Sequence, residues 1–408
     1  MLVKKFKQNL ENIRELPDKE FKFSLFGLFK RTVTANADTI NDVLNSSNYT
    51  RCSLSRRIVH HVGARYSVVS QLDDRAFLKK SISKKYYTDS KMMERVFERS
   101  IALIIAEMQK GGEIEMYSSV YQHLSSVMME EVLGIDFGKE DAELRKKQQK
   151  SFTVSTNESL SKLVFLNLLP LPMFVKDWFA PSIQAANAIA EKNVNFIYDR
   201  SVCRKTSLLE QLKDAEHNGV LSKKEVLGEI RAIGIGAHTV TLSILWTLYL
   251  LSKNPSHKEK VKADSAYARW TYFESLRLLP PFFMISREKK TSKCPFHAIL
   301  PKERVTISIS NVHRVTEYWE HPNNFQPDRF AKGLSNVKKG AFVPFGMGAR
   351  SCPGASMSMK IGPQIIQKLL QNFDIVLSRE PVIKRRVELT PADKKMFFNV
   401  KEIQNGCV

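Results

Sequence analysis

The sequence predicts a mainly α fold with a smaller β region (α+β), carried by a single domain over residues 1–408. Three observations predict it. Apolar residues recur at helical spacing from about residue 73 to residue 270. Alternation typical of strands is confined to residues 21–35 and to short runs after Pro280-Pro281. No internal repeat, low-complexity linker or shift of composition divides the chain.

In chain order, FKFSLFGLFKRTVTA (21–35) predicts strands and Asp38–Leu44 a short helix. LVFLNLLPLPMF (163–174) is apolar but broken by Pro170 and Pro172, which predicts a helix ending in a loop, with a further helix over Ile183–Arg200. Ala232–Leu251 is a stretch of 20 residues without Lys, Arg, Asp or Glu, long enough to span a bilayer. Its first half carries Gly234, Gly236, His238, Thr239, Thr241 and Ser243, so a buried helix through the centre of the domain is the preferred reading. Pro280-Pro281 ends a helix, Ala298–Leu300 and Val305–Ser310 read as short strands, and His321–Val343 as an irregular segment. A last helix begins near Cys352 and runs toward Asn372, with Pro363 expected to kink it.

Composition excludes several function classes. Hydrophobic residues make up 43%, too many for a disordered chain. Cys52, Cys203, Cys294, Cys352 and Cys407 are scattered and odd in number, which excludes a zinc ribbon and argues against a disulfide framework. A reducing, cytoplasmic location fits them. The first 20 residues are charged, and neither a secretory signal nor a transmembrane anchor is expected there. With 63 Lys and Arg against 42 Asp and Glu, the net charge is +21. That excess is compatible with nucleic acid, an acidic protein, an anionic membrane, or simply a solvated Lys-rich surface.

The most informative segment is FVPFGMGARSCPG (342–354). Gly346, Gly348 and Gly354 permit positive φ or close approach to a flat ligand. Cys352 precedes Pro353, a residue favoured at the first helical position, so Cys352 is expected to be the helix N-cap, where the dipole favours a thiolate. Such a thiolate is a metal ligand or a nucleophile; a structural cysteine in a Gly-rich turn is the bland alternative. Neither a partner base nor a Gly-Lys-Ser/Thr phosphate loop accompanies it.

Phe345 to Gly354 resembles the haem-binding signature FGxGxRxCxG of the cytochrome P-450 superfamily, with every fixed position filled. The resemblance implies the cytochrome P-450 fold, with a long central helix over the distal haem face and the cysteine loop on the proximal face. It implies haem b as cofactor, Cys352 as the iron (metal) ligand, Arg350 on a haem propionate, Phe345 packed beside the sulfur, and Gly346 and Gly354 shaping the loop. Glu274-Ser275-Leu276-Arg277 resembles the family's ExxR and lies 75 residues before Cys352; Pro327-Asp328-Arg329-Phe330 resembles its PERF-type motif, with Asp328 in place of Glu. His313-Arg314, Trp319, His321 and Pro322 fit the run between them, and no metal is assigned to either histidine.

By the same resemblance Arg287 reaches a haem propionate, the alternative being a surface arginine in a basic cluster. Arg75 and Lys79 match the helix whose basic residues four apart face the second propionate, although the family usually has His or Trp and then Arg. Gly236-Ala237-His238-Thr239 aligns with the (A/G)Gx(D/E)T segment. Gly236 then leaves room for O2, and Thr239 guides protons. His238 replaces the usual acid; it is a candidate proton relay, with a satisfied core histidine as the alternative.

The function implied is a haem-thiolate monooxygenase of the soluble, bacterial type. It would insert one atom of O2 into an apolar small molecule, with electrons reaching it indirectly from NAD(P)H. The alternatives are a peroxide-using peroxygenase or isomerase, motivated by His238, and a non-catalytic haem-binding protein. Phe165, Leu169, Met173, Phe174 and Phe179 match the region that roofs the substrate. Arg75, Lys79, Lys80, Lys84, Lys85 and Lys91, with Lys338, Lys339, Arg350 and Lys360, are expected to form a basic rim for an acidic ferredoxin or flavodoxin. No RNA-binding motif appears, and nucleic acid is not an expected partner.

Overall fold

The computed structural model describes residues 20–25, 29–52, 66–68, 73–135, 181–199, 207–290, 303–381 and 395–403. The substrate-roof residues between 163 and 180 and the expected strand at Ala298–Leu300 lie outside these. Within them the protein is mainly helical with two small sheets, as the sequence predicts.

The N-terminal alternation forms the hairpin β1 (Glu20–Leu25) and β2 (Phe29–Thr34). Helix α1 (Ala37–Asn45) follows, capped by Asn36, whose side chain accepts from the Asp38 and Thr39 N–H groups. Strand β3 (Tyr49–Arg51) precedes the helices α2 (Asp73–Thr88) and α3 (Ser90–Met108). Next come β4 (Gly112–Glu115), α4 (Met116–Leu133), α5 (Pro181–Asp199) and α6 (Leu208–His217).

The long uncharged stretch lies in α7 (Lys223–Lys253). Among the described residues it is the one helix long and apolar enough to cross a membrane, and 72% of its apolar window is buried inside the protein. It therefore serves here as the central core helix, packed on α4, and two further helices follow it in the chain. Those are α8 (Ser256–Ala263) and α9 (Ser265–Leu278), which stops just before Leu279-Pro280-Pro281. Strands β5 (Met284–Lys289) and β6 (Arg304–Ser308) complete the larger sheet, in the order β1-β2-β6-β5-β3, with β2 and β6 parallel. Helix α10 (Ile309–Val312) leads into the irregular segment, whose only regular pieces among the described residues are 3-10 turns.

Helix α11 spans Ala355–Asn372 and continues through Pro363. It begins three residues after Cys352, and Gly354 rather than Cys352 is the cap, which corrects the sequence expectation. The reason is local: Pro353 and Gly354 complete a turn, with the Ala355 N–H donating to the Cys352 carbonyl at 3.4 Å, before helical geometry begins. Strand β8 (Phe397–Glu402) pairs with both β4 and β7 (Phe373–Leu377) in the second sheet, order β4-β8-β7.

Candidate active site

The cysteine loop is held by the residues of the ExxR segment. Arg277 and Glu274 are fully buried on α9 and paired through two bonds, Nε to Oε2 at 2.8 Å and Nη2 to Oε1 at 2.7 Å. Burying two charges is tolerated when every remaining donor and acceptor finds a partner. Arg277 spends its other donors on the His313, Pro322 and Asn324 carbonyls at 2.8, 2.6 and 3.1 Å. Glu274 also accepts from Arg329 at 3.2 Å and from the Gln326 N–H at 2.9 Å. The Arg277 guanidinium stacks 5.2 Å from the Trp319 ring. Two residues thus fix the first part of the irregular segment that precedes the loop, from His313 to Arg329.

His313 carries that order into the loop itself. Its Nε2 accepts the Val343 N–H at 3.0 Å, so the proton resides on Nδ1, which donates to the Arg277 carbonyl at 3.1 Å. Its ring stacks on Phe342 at 5.2 Å. Burial, helped by the Arg277 charge, pushes this imidazole down to about 3, so it is neutral. His313 thus has a structural place between α9 and the loop.

Within the loop, Gly348 has φ +68°, and a Cβ there would stand 2.7 Å from the Leu44 carbonyl at the end of α1. Only glycine allows that approach. The Cys352 N–H donates to the Phe345 carbonyl at 2.9 Å, closing the loop. The Cys352 side chain is exposed on one side, yet the protein around its other sides desolvates the thiol and raises it above its ordinary value. The Gly354 and Ala355 N–H groups and the charges of Lys80 and Arg51 act in the opposite direction, toward the thiolate. Tyr272 joins the site to the central helix: its hydroxyl lies 2.8 Å from Ser358 Oγ on α11 and also bonds Ser243 on α7.

On α7, a Cβ added at Gly236 would meet no atom within 4 Å, so the helix face there is open. Thr239, one turn on, donates to the Gly236 carbonyl at 2.9 Å. His238 sits about 200° round the helix from Gly236. It is buried, and its Nδ1 lies 2.7 Å from the Tyr117 hydroxyl on α4. Thr239 and His238 therefore occupy different faces of α7.

Arg75 and Lys79 of α2 meet at Glu225 of α7. Arg75 Nε donates to Glu225 Oε1 at 2.9 Å, its Nη2 bonds Oε2, and Lys79 Nζ lies 3.3 Å from Oε1. Burial acts to raise Glu225, but Arg75, the Ser222 N–H and hydroxyl, and Lys79 bring it far below the usual carboxylate range. Lys79 is 0% exposed and also donates to the Tyr66 carbonyl. It cannot contribute to an outward basic rim, which corrects that part of the charge reading. Segment 66–68 lies directly on α7, where a Cβ on Gly228 would stand 2.7 Å from the Ser67 nitrogen.

Arg287 is buried on β5, and its register partner on β3 is Arg51. Two like charges directly opposite on a sheet repel, an arrangement suited to an anion between or beside them. Arg51 Nη1 donates to the Val68 carbonyl at 2.6 Å. Arg350 lies with its guanidinium 5.8 Å from the Phe77 ring of α2, and Phe345 packs against the main core. Arg51 has no local sequence signal, and Lys80 is marked by sequence only as part of a basic rim; both gain their place at the site from contacts between distant elements.

The arrangement fits a haem. Among the described residues no three His, Cys, Asp or Glu side chains group to hold a metal ion by themselves. A lone cysteine facing backbone N–H donors suits a metal that brings its remaining ligands in a macrocycle. The opposed arginines suit its carboxylates, and the open face at Gly236 suits a ligand space.

Comparison with known proteins gives the same direction. The family described as Cytochrome P450 matches residues 3–397. The chain is 27% identical over 265 residues to Probable cytochrome P450 525A1 of Dictyostelium discoideum, a match covering 55% of this chain and 42% of that protein. To Cytochrome P450 3A5 of Homo sapiens it is 24% identical over 413 residues, covering 89% and 81%. A crystal structure of a 6-coordinated cytochrome P450 from Thermus thermophilus superposes with a TM-score of 0.71 at 16% identity, covering 95% of this chain and 96% of that one, which shows the shared fold.

Proposed function

The chain belongs to the cytochrome P450 family, and on that premise we propose that it is a haem-thiolate monooxygenase acting on an apolar small molecule with electrons delivered by an acidic protein donor. The observation that carries the reading is the Cys352 loop, closed on Phe345 and held against the buried Glu274–Arg277 pair through His313. Haem bound there supplies the activation of O2, which the thiolate ligand favours by donating electron density.

The residues divide the remaining work. Cys352 Sγ would ligate the iron, with the Gly354 and Ala355 N–H groups directed at it. Arg287 and Arg350 are assigned to the propionates, with Arg51 joining them across β3–β5. Arg75 and Lys79 support this end of the site through Glu225. Gly236 leaves the face of α7 open for a ligand, and Thr239, on the same face, would hold and pass a proton there. His238, expected as the second member of the relay, lies on another face of α7, where its Nδ1 meets the Tyr117 hydroxyl. Measuring Thr239→Ala beside His238→Gln separates the two roles. Electrons lost to peroxide in both variants assign the relay to both. Loss in Thr239→Ala alone leaves His238 as an anchor of α4 on α7.

For the donor, the exposed bases Lys84, Lys85 and Lys339 support a basic docking face, whereas Lys338 is engaged by Asp38 at 2.8 Å. Electrostatic steering of an acidic partner falls with ionic strength. The free thiols of Cys52 and Cys352, the cysteines among the described residues, support a reducing, cytoplasmic setting. Turnover with NAD(P)H, a reductase and a ferredoxin or flavodoxin tests the whole reading. One labelled oxygen atom from O2 in the product supports it; label arriving only from added peroxide overturns it. Charge reversal at Lys84 and Lys85 that leaves donor-dependent turnover and its salt sensitivity unchanged removes the docking assignment.

A further inference from the structure

Helix α2 grips the cysteine loop through one side chain. Lys80 Nζ stands 3.0 Å from the Ala349 carbonyl, 2.9 Å from the Ser351 carbonyl and 3.0 Å from Ser351 Oγ. An ammonium has three N–H donors, and here it has three acceptors. One of them, the Ser351 carbonyl, belongs to the peptide that joins Ser351 to Cys352. A second contact between the same helix and loop is the Arg350 guanidinium over the Phe77 ring. The far side of the loop is fixed by Gly348 against the end of α1.

We propose that Lys80 is a positioning residue for the iron ligand: it fixes the peptide carrying Cys352 and holds a positive charge beside the sulfur. The proposal rests on the haem-thiolate reading of Cys352. It also takes Lys80 out of the basic docking rim in which the sequence places it, since its donors are committed to the loop. Charge-assisted hydrogen bonds to two carbonyls resist displacement of the loop more strongly than neutral ones. A fixed cation near the ligand stabilises the reduced, more negative iron centre over the oxidised one.

The test uses the haem-loaded protein. The carbon monoxide spectrum of the reduced wild type comes first; absence of a thiolate-type band there overturns the underlying reading rather than this one. With the band present, Lys80→Met, Lys80→Gln and Lys80→Arg are compared by midpoint potential, measured without a donor protein, and by the rate at which the thiolate-type band converts to the histidine-type position. Lys80→Met is expected to have a more negative potential and a conversion about tenfold faster, the effect of one charge-assisted hydrogen bond. Lys80→Arg is expected to restore both. Lys80→Gln, a neutral donor, is expected to keep the more negative potential. A Lys80→Met protein with wild-type potential and band lifetime, and only a raised KM for the donor, overturns the proposal and makes Lys80 a docking charge. Should Lys80→Met load no haem, the Gln and Arg variants decide: equal potentials in the two overturn it.

Discussion

The Tyr117 hydroxyl lies 2.7 Å from Nδ1 of His238, across the buried contact between α4 and α7. Both rings also stand close to Tyr121, which stacks on Tyr117 at 5.6 Å and meets His238 edge-on at 6.2 Å. A polar pair inside an apolar helix interface specifies how the two helices seat. A double-mutant cycle with Tyr117→Phe and His238→Leu, read by chemical denaturation, is expected to give a coupling energy of about 1 kcal/mol. Additive effects would mean the bond contributes nothing to the interface.

Glu274→Gln and Arg277→Met test the buried pair. Removing one partner leaves the other charge uncompensated, at a cost of about 3–5 kcal/mol. Arg277→Met also strips the His313, Pro322 and Asn324 carbonyls of their donor. It is expected to be the more severe of the two, with loss of soluble, haem-loaded protein. Wild-type yield and denaturation midpoint in Arg277→Met would show that the segment before the cysteine loop is ordered by something else.

Glu229 predicts a stability change near neutral pH. Burial raises its carboxyl to about 7, against the opposing Lys79 charge, Val68 N–H and Arg51 charge. An unfolded chain gives up this proton nearer the ordinary 4.5. The folded state therefore holds an extra proton between these values, and stability falls as pH rises from 4.5 to 7, then levels. Glu229→Gln keeps an acceptor for the Val68 N–H and does not titrate. Its denaturation midpoint relative to wild type is expected to rise across that window; a constant difference from pH 4.5 to pH 8 would show that Glu229 is ionised throughout.

His313 predicts the opposite slope on the acid side. Its folded value of about 3 lies below the ordinary 6.5. The stability it contributes is complete above 6.5 and is lost as pH falls toward 3, because the unfolded chain takes up the proton first. The pH dependence of stability between 6.5 and 3 is expected to be shallower in His313→Gln than in wild type. Identical slopes would mean the imidazole is not held neutral by its place under Phe342.

What was legible in the sequence was what is local. The uncharged run around Gly236, the i, i+3 pair Glu274–Arg277 and the cysteine loop each carry their meaning within a few residues. The pairing of α2 with α7 was not legible. Arg75 and Lys79 stand four apart on one helix, Glu225 and Glu229 four apart on another, and the two sets meet across 150 residues of sequence. Read alone, the first set looks like part of a solvated basic face. Lys79 is instead wholly buried, and Lys80 beside it turns to the loop. The helix cap differs for another reason: Pro353 satisfies the sequence signal for a first helical residue, but Pro353 and Gly354 form a turn before α11 starts at Ala355.

The most direct test of the account is the carbon monoxide difference spectrum of the reduced, purified protein, recorded beside Cys352→Ala. The wild type is expected to show the red-shifted Soret band of a thiolate-ligated haem, and the variant to lose it. A wild-type band at the histidine-ligated position, or the same spectrum in both proteins, would contradict Cys352 as the iron ligand.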